Sequence, residues 1–319
     1  MLACNEVCPD ESLKWPFDKK EAYLNSHRIT NINPLKDVDS FKSIYIFETR
    51  VTSLHPLIGM KSLTLLSLWR TLVSDLSPVS ELTNLEHLDF SNTRVTDLTP
   101  LSALKKLNWL DCGLTKVTDL TPISGLMKLK YLRLDGLQLQ SFIPLKDLVG
   151  LEHLSLKSVP LDDLAPFAYL KSLKHLNLAN TKVIRLKPIL GLSMLEYLSL
   201  AKTDIENGNE ISSFENLRYL DISGTKITDL TPLSNLNSLE RLVIGYQLIN
   251  DLTPLENLKS LETLILHQIN ITDLSPLVGV KSLKNINIGK TAILDSELEK
   301  FKSLRPDITV RLNYYFYSG

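Results

Sequence analysis

Residues 217–238 read LRYLDISGTKITDLTPLSNLNS. Apolar side chains stand at the first (Leu217), fourth (Leu220), sixth (Ile222), eleventh (Ile227), fourteenth (Leu230), seventeenth (Leu233) and twentieth (Leu236) places. Leu220 and Ile222 alternate with period two, the mark of a short strand with one buried face. The following Asp229–Leu233 segment, DLTPL, holds a proline, which lacks a backbone donor and fixes φ. It is too short for an α-helix of several turns and suits a 3-10 turn.

Steps of 22 residues from Leu217 reach Leu195, Leu173, Leu151, Leu129, Leu107, Leu85, Leu63 and Phe41 in one direction, and Leu239, Leu261 and Leu283 in the other. That makes twelve units in unbroken register from residue 41. No unit can cover its apolar set alone, so neighbours must stack into one continuous core. The strands are then parallel and about 4.8 Å apart. The ninth place carries Thr49, Thr71, Thr93, Thr115, Thr181, Thr203, Thr225 and Thr291. A hydroxyl there is expected to bond the backbone of the next coil. Cys112 falls on a core place and reads as a small buried hydrophobe.

This spacing resembles that of leucine-rich-repeat proteins. The 22-residue length and the I-T-D-L-T-P-L segment resemble the bacterial internalin type over residues 29–293, with Thr at the ninth place where Asn is usual. The resemblance implies a curved protein-binding module. The expected fold class is an α/β solenoid, mostly β: a horseshoe with a parallel concave sheet, 3-10 turns on the convex side and end caps. The signal, immunoglobulin-like domain and wall anchor that accompany internalin repeats are not read in this sequence. Only the binding module is therefore carried over, not a role in host-cell invasion.

One structural domain is expected, in three segments. Residues 1–28 read as an N-terminal cap bearing Trp15, Pro16, Phe17, Tyr23 and Leu24. Residues 29–293 hold a partial unit (Ile29, Ile32, Pro34, Leu35) and the twelve full ones. Residues 294–319 read as a C-terminal cap. There Ser296 and Glu299 have capping-box spacing for a helix bearing Leu298, Phe301 and Leu304. Arg305-Pro306 should end it, before a strand with Ile308, Val310 and Leu312. Tyr314, Tyr315, Phe316 and Tyr317 would cover the end or offer a sticky tail. After Thr203 the pattern breaks: Asp204–Glu210 lacks the proline and reads as a Gly turn, its spacing not matching a calcium loop.

The net charge is −1, with 44 % hydrophobic and 22 % charged residues. A protein that lives on phosphate backbones shows a strong basic bias, so nucleic acid is not an expected partner. No apolar run reaches the roughly 18–20 residues of a membrane span. The sequence as it stands reads as cytoplasmic. Leu2-Ala3-Cys4 resembles the end of a lipobox, so a surface lipoprotein or secreted protein is the alternative if sequence precedes Met1. Cys4 and Cys8 could pair after export.

No phosphate-binding, zinc-protease, dinucleotide or nucleophile-elbow motif occurs, so neither an enzyme nor a cofactor is expected. His153 and His175 lie 22 residues apart on successive strands and could share a metal. A structural zinc takes four ligands and no third is evident, so no metal is expected.

The candidate working surface follows from the register. Places three, five and seven alternate with the core leucines and face away from them. Place three reads His87, Trp109, Tyr131, His153, His175, Tyr197 and Tyr219 on seven successive rungs, with Leu65 before and Arg241 after. Place five adds Tyr45, Asp89, Asp111, Arg133 and Asp221; place seven adds Phe47, Trp69 and Asp135. Aromatic residues and arginine dominate binding hot spots. Tyr45, Phe47, Leu65, Trp69 and Trp109 would form a larger apolar patch than a monomer shows to water. The competing reading is that the rings stack along the ladder and stabilise the sheet. The expected function is a monomeric, non-enzymatic module that grips a protein, with some basic character in the partner. The alternatives are a scaffold or regulator of an enzyme and a carbohydrate-binding surface.

Overall fold

The computed structural model describes residues 20–36 and 38–312. They form two compact units, divided between Ser155 and Leu156. In the first, strands β1 (Glu21–Leu24), β2 (Ser43–Ile46), β3 (Leu65–Ser67), β4 (His87–Asp89), β5 (Trp109–Asp111), β6 (Tyr131–Arg133) and β7 (His153–Ser155) pair parallel in chain order. In the second, β8 (His175–Asn177), β9 (Tyr197–Ser199), β10 (Tyr219–Asp221), β11 (Arg241–Gly245), β12 (Thr263–His267), β13 (Asn285–Gly289) and β14 (Thr309–Leu312) do the same. This is the leucine-rich-repeat class expected from the spacing. Each repeat's strand returns through a 3-10 turn such as Thr99–Leu101 or Thr231–Leu233.

The core is the apolar set of the repeat. Leu107, Leu110, Leu120, Ile123 and Leu126 in one coil, and Leu217, Leu220, Ile222 and Leu233 in another, are at most 1 % exposed. Cys112 belongs to this set as expected: it is a free, buried thiol whose pKa burial pushes well up.

The register reaches further back than the sequence indicated. Ala22, Leu24, Ile29, Ile32 and Leu35 are buried at the places that Leu and Ile fill elsewhere, and Glu21–Leu24 pairs with Ser43–Ile46 at the same 22-residue offset. Part of the segment assigned to the cap is therefore a repeat.

Three-residue strands would make a poor ladder alone. At the eighth place of every unit the backbone is left-handed, with φ from 49° at Gln268 to 72° at Gly136. Ten of these twelve residues are not glycine. The conformation costs on the order of 1–2 kcal/mol per non-glycine residue. It aims the N–H at the next coil: Glu48 donates to the Trp69 carbonyl at 3.0 Å, and Asn180 to that of Ala201 at 2.7 Å. The bonds offset that strain by pairing backbone groups that would otherwise be left without partners, and they lengthen the ladder.

The Asp of DLTPL has an equally local purpose. The first N–H groups of a helical turn have no partner within the turn. Asp97 Oδ1 accepts the Thr99 N–H at 2.8 Å, and Asp75, Asp119, Asp229, Asp251 and Asp273 repeat the arrangement. Where Arg185 replaces the Asp, Glu210 of the following coil reaches back to the Leu186 N–H.

Three expectations need correction. The ninth-place hydroxyls of Thr71, Thr93, Thr181, Thr203 and Thr225 donate to their own coil and not to the backbone of the next one. Thr71 donates to Leu68 O and Thr203 to Leu200 O, three residues back, because the left-handed residue between folds the hydroxyl over its own strand end. Gln247, which replaces the threonine, is long enough to donate to Thr225 Oγ1 of the preceding coil. Second, Ser296 does not cap the final helix, α1 (Asp295–Leu304); Leu294 is at the N-cap and no side chain caps it. Leu298 and Phe301 are buried as expected, whereas Leu304 is exposed. Third, Gly208 has φ −88 and opens a five-residue 3-10 turn, Asn209–Ser213, in place of a Gly turn. The final strand forms as expected, as β14, with Leu312 at its exposed end. Leu2-Ala3-Cys4, Cys8, Trp15, Pro16, Phe17 and Tyr314–Tyr317 lie outside the described residues. Among the described residues no helix is long and apolar enough to cross a membrane.

Candidate functional site

Each strand puts its fourth- and sixth-place side chains into the core, so places three, five and seven form the opposite face. In the first unit the third-place rings stack. The His87 and Trp109 centroids are 3.8 Å apart and nearly parallel, Trp109 and Tyr131 4.7 Å, and Tyr131 and His153 5.7 Å with a 32° tilt. Tyr45 stacks at 4.5 Å on Tyr23, a face residue the sequence reading placed in the cap. Trp69 has the Arg70 guanidinium 5.3 Å from its ring centre.

This stacking shrinks the apolar patch expected at Tyr45, Phe47, Leu65, Trp69 and Trp109. Trp69 is exposed at 38 %, and the other four are half-buried. Trp109 has a ring against each face and offers its edge.

Carboxylates lie beside the stack, on the same strands. Asp89 on β4 accepts the Ser67 hydroxyl at 3.0 Å and both the N–H and the hydroxyl of Ser91. Asp111 on β5 accepts the Gly113 N–H at 2.9 Å. Arg133 on β6 holds Asp135 through Nε at 2.6 Å, and Ser155 donates to the other oxygen of Asp135. Asp111 is 6 % exposed, where the register had suggested a surface acid. Burial pushes its carboxyl up to about 7; the Gly113 N–H and Arg133 oppose that shift, and Asp89 and Asp135 add to it. Burial holds His87 below its ordinary value, so its ring is neutral at pH 7. Arg133 is exposed.

In the second unit His175 stacks at 5.5 Å on Tyr197, Tyr197 at 4.2 Å on Tyr219, and the Arg241 guanidinium lies 5.8 Å from the Tyr219 ring centre. These three rings are half-buried. Burial raises the Tyr197 and Tyr219 hydroxyls. Asp221 accepts the N–H and hydroxyl of Ser223, and burial raises its carboxyl. At the start of these strands a groove of about 460 Å³ is lined by Glu196, Arg218 and Glu240, with Arg218 donating twice to Glu240. His153 ends up on β7 of the first unit and His175 on β8 of the second. Among the described residues no group of three or more His, Cys, Asp or Glu is placed to hold a metal.

Known proteins resemble the chain at the level of the repeat. Residues 215–257 match the model for leucine-rich repeats in two copies, and residues 79–181 that for the leucine-rich-repeat domain of the endo-β-N-acetylglucosaminidase EndoS. No curated protein matches the chain. Among solved structures, an internalin (inlF) from Listeria monocytogenes is 30 % identical with a TM-score of 0.75, over 83 % of this chain and 79 % of that one. Internalin C2 of the same organism is 33 % identical with a TM-score of 0.56, over 59 % of this chain and 83 % of its own. A Leptospira interrogans leucine-rich-repeat protein shares the fold at 19 % identity, over 88 % of this chain and 92 % of its own, with a TM-score of 0.59. With the register, the stacked coils and the inlF likeness together, the chain belongs to the internalin-like family of bacterial leucine-rich-repeat proteins.

Proposed function

We propose that the protein is a monomeric, non-enzymatic module that binds another protein on the strand face of its first unit. Leucine-rich-repeat proteins of this type are protein-interaction modules. The observation that carries the reading is the composition of that face. Tyr45, Phe47, Leu65, Trp69, Trp109, Tyr131 and His153 present ring edges and apolar surface beside Asp89, Asp111 and Arg133. Rigid rings lose little entropy on binding, and carboxylates among them add orientation.

His175, Tyr197 and Tyr219 contribute less. They too are stacked, but Arg241 beside Tyr219 and the serine bonds on Asp221 leave less polar capacity unused. A protein suits the face better than a sugar. A sugar ring stacks on an open aromatic face, and both faces of Trp109 are covered.

Affinity capture from the native source, with mass spectrometry, tests the proposal. Trp69→Ala/Trp109→Ala should lose the partner that the unaltered chain retains, with the fold intact by circular dichroism. Retention of the same partner by the folded double variant would refute it.

A further inference from the structure

Beyond the strand ladder, a second seam of backbone bonds joins one coil to the next. The N–H at the tenth place donates to the carbonyl at the eleventh place of the coil before it. In the first unit Arg50 donates to Ile29 at 2.8 Å, Leu72 to Val51 at 3.0 Å, Arg94 to Val73 at 2.9 Å and Lys116 to Val95 at 3.0 Å. In the second, Lys182 donates to Leu161 at 2.8 Å and Lys226 to Ile205 at 2.9 Å. At Leu248, Asn270 and Ala292 the seam is open: among the described residues none of these three N–H groups meets a carbonyl of the preceding coil.

At Leu248 the cause is Gln247. Thr225, at the ninth place of the preceding coil, turns back onto Ile222 O. Gln247, at the same place, reaches into that preceding coil instead. Its Nε2 donates to Thr225 Oγ1 at 2.5 Å and to the Ile227 carbonyl at 3.4 Å. Ile227 O is the acceptor that the Leu248 N–H would use in the regular seam. The wedge is tight: Gln247 is 6 % exposed, and its Oε1 is buried without a hydrogen-bond partner. The wedged loop turns apolar side chains outward. Leu248 is 74 % exposed. Tyr246, half exposed and left-handed at φ 59°, sets its ring edge-on to His267 with centroids 5.3 Å apart. Asn250, Gln268, Asn270 and Thr272 are exposed around them, and no residue of Gly245–Asn250 or Gln268–Thr272 is charged. The eighth and tenth places of the first unit, by contrast, carry Glu48, Arg50, Arg70, Arg94 and Lys116. The flanking charges in these two columns are Lys226, held by Asp204 at 3.1 Å, and Lys290. Asp251 and Asp273, at the thirteenth place, cap their own turns.

We propose that this loop edge of the second unit docks an uncharged, extended peptide segment of a protein partner. A backbone carbonyl of the segment takes the Leu248 N–H, and an apolar side chain lies against Tyr246 and Leu248. An extended segment draws affinity from main-chain hydrogen bonds and specificity from side-chain contacts, and this edge supplies both. The amides of Gln268 and Asn270 each offer donors and an acceptor to further peptide groups of the segment. A charged segment would lose hydration here without an ion to pair with. Gln247 is the residue that creates the site, because its amide holds the Ile227 carbonyl and leaves the Leu248 N–H open. The site uses none of the rings of the first unit and is independent of the functional reading above.

The probe is a random peptide library displayed on phage and selected on the full chain, with the enriched peptides then synthesised and titrated by calorimetry. Peptides with an apolar residue and little charge should be enriched. Leu248→Asp should weaken them by on the order of tenfold or more. Their binding should persist in about 1 M sodium chloride, where charge attraction is screened within about 3 Å. Gln247→Thr restores the residue usual at the ninth place, so it should close the seam and weaken the same peptides. It should also slow hydrogen exchange of the Leu248 amide by on the order of tenfold or more, a readout that needs no ligand. Leu248 is exposed and Thr is the repeat's own residue, so thermal melting should show both variants folded. No enriched peptide, or none that Leu248→Asp weakens, would overturn the proposal. So would Leu248-dependent peptides that salt releases, by making the occupant charged. Unchanged exchange at Leu248 in folded Gln247→Thr would overturn the wedge and the proposal with it. Peptides that Trp69→Ala/Trp109→Ala loses and Leu248→Asp keeps would overturn this inference and leave the functional reading standing.

Discussion

The strand faces of β4–β6 and of β9–β11 are built on the same register and the same kind of leucine core, yet they are finished differently. In the first, Arg133 holds Asp135, Asp111 is buried beside them, and a tryptophan lies flat between a histidine and a tyrosine. In the second, two tyrosines stack, Asp221 is held by Ser223, and Val243 takes the place where the first unit has Asp89 or Asp111. The repeat fixes what must be apolar and leaves the other face to vary.

The largest effect should be shared by both units. Leu110→Ala and Leu220→Ala, each at a fully buried fourth place, should each cost about 2–5 kcal/mol in denaturant unfolding. A clear inequality would mean that the two cores are not equivalent. The next effect should separate the units. Asp111 has a folded carboxyl pushed up to about 7 from 3.8, so between those values the folded state holds more protons than the unfolded one. Its contribution to stability therefore falls as pH rises through that window, and Asp111→Asn should remove the fall. The gain near pH 7 is of order 1–4 kcal/mol, since each pKa unit is worth about 1.4 kcal/mol. Asp221 is raised too, so Asp221→Asn should act with the same sign. A destabilised Asp111→Asn at pH 7 would contradict the raised, buried carboxyl. The smallest effect concerns the left-handed places. Gly136→Ala and Gly224→Ala should each cost roughly 1 kcal/mol. Gly136 should cost more, because its Cβ would lie 2.8 Å from Leu114 Cδ2, against 3.3 Å to Lys202 Cγ at Gly224. Equal melting temperatures for the two variants would show that Leu114 gives way freely.

Much of this was legible in the spacing. Leu-x-Leu named the strands and their buried side, DLTPL named the 3-10 turns, and the alternation named the free face. What escaped depends on how one coil meets the next. Tyr23 was assigned to a cap because Ala22 and Leu24 disguise a repeat in which no Leu-x-Leu occurs. The hydroxyls of Thr71 and Thr203 turn back on their own coil because of a left-handed residue that a threonine row does not announce. Trp109 was placed on the right face, but that its ring would be sandwiched depends on the torsions of its neighbours. Asp111 read as a surface acid because place five says only which way a side chain points, not how deeply its neighbours bury it.

Oxidative footprinting of the free chain and of its complex with a captured partner tests the central claim most directly. Trp69, Trp109 and Tyr131 should lose reactivity in the complex. Tyr169, 64 % exposed beside the 3-10 turn Ala165–Phe167, should keep its own. Protection of Tyr169 with Trp69 as reactive as in the free chain would contradict binding on the strand face of the first unit.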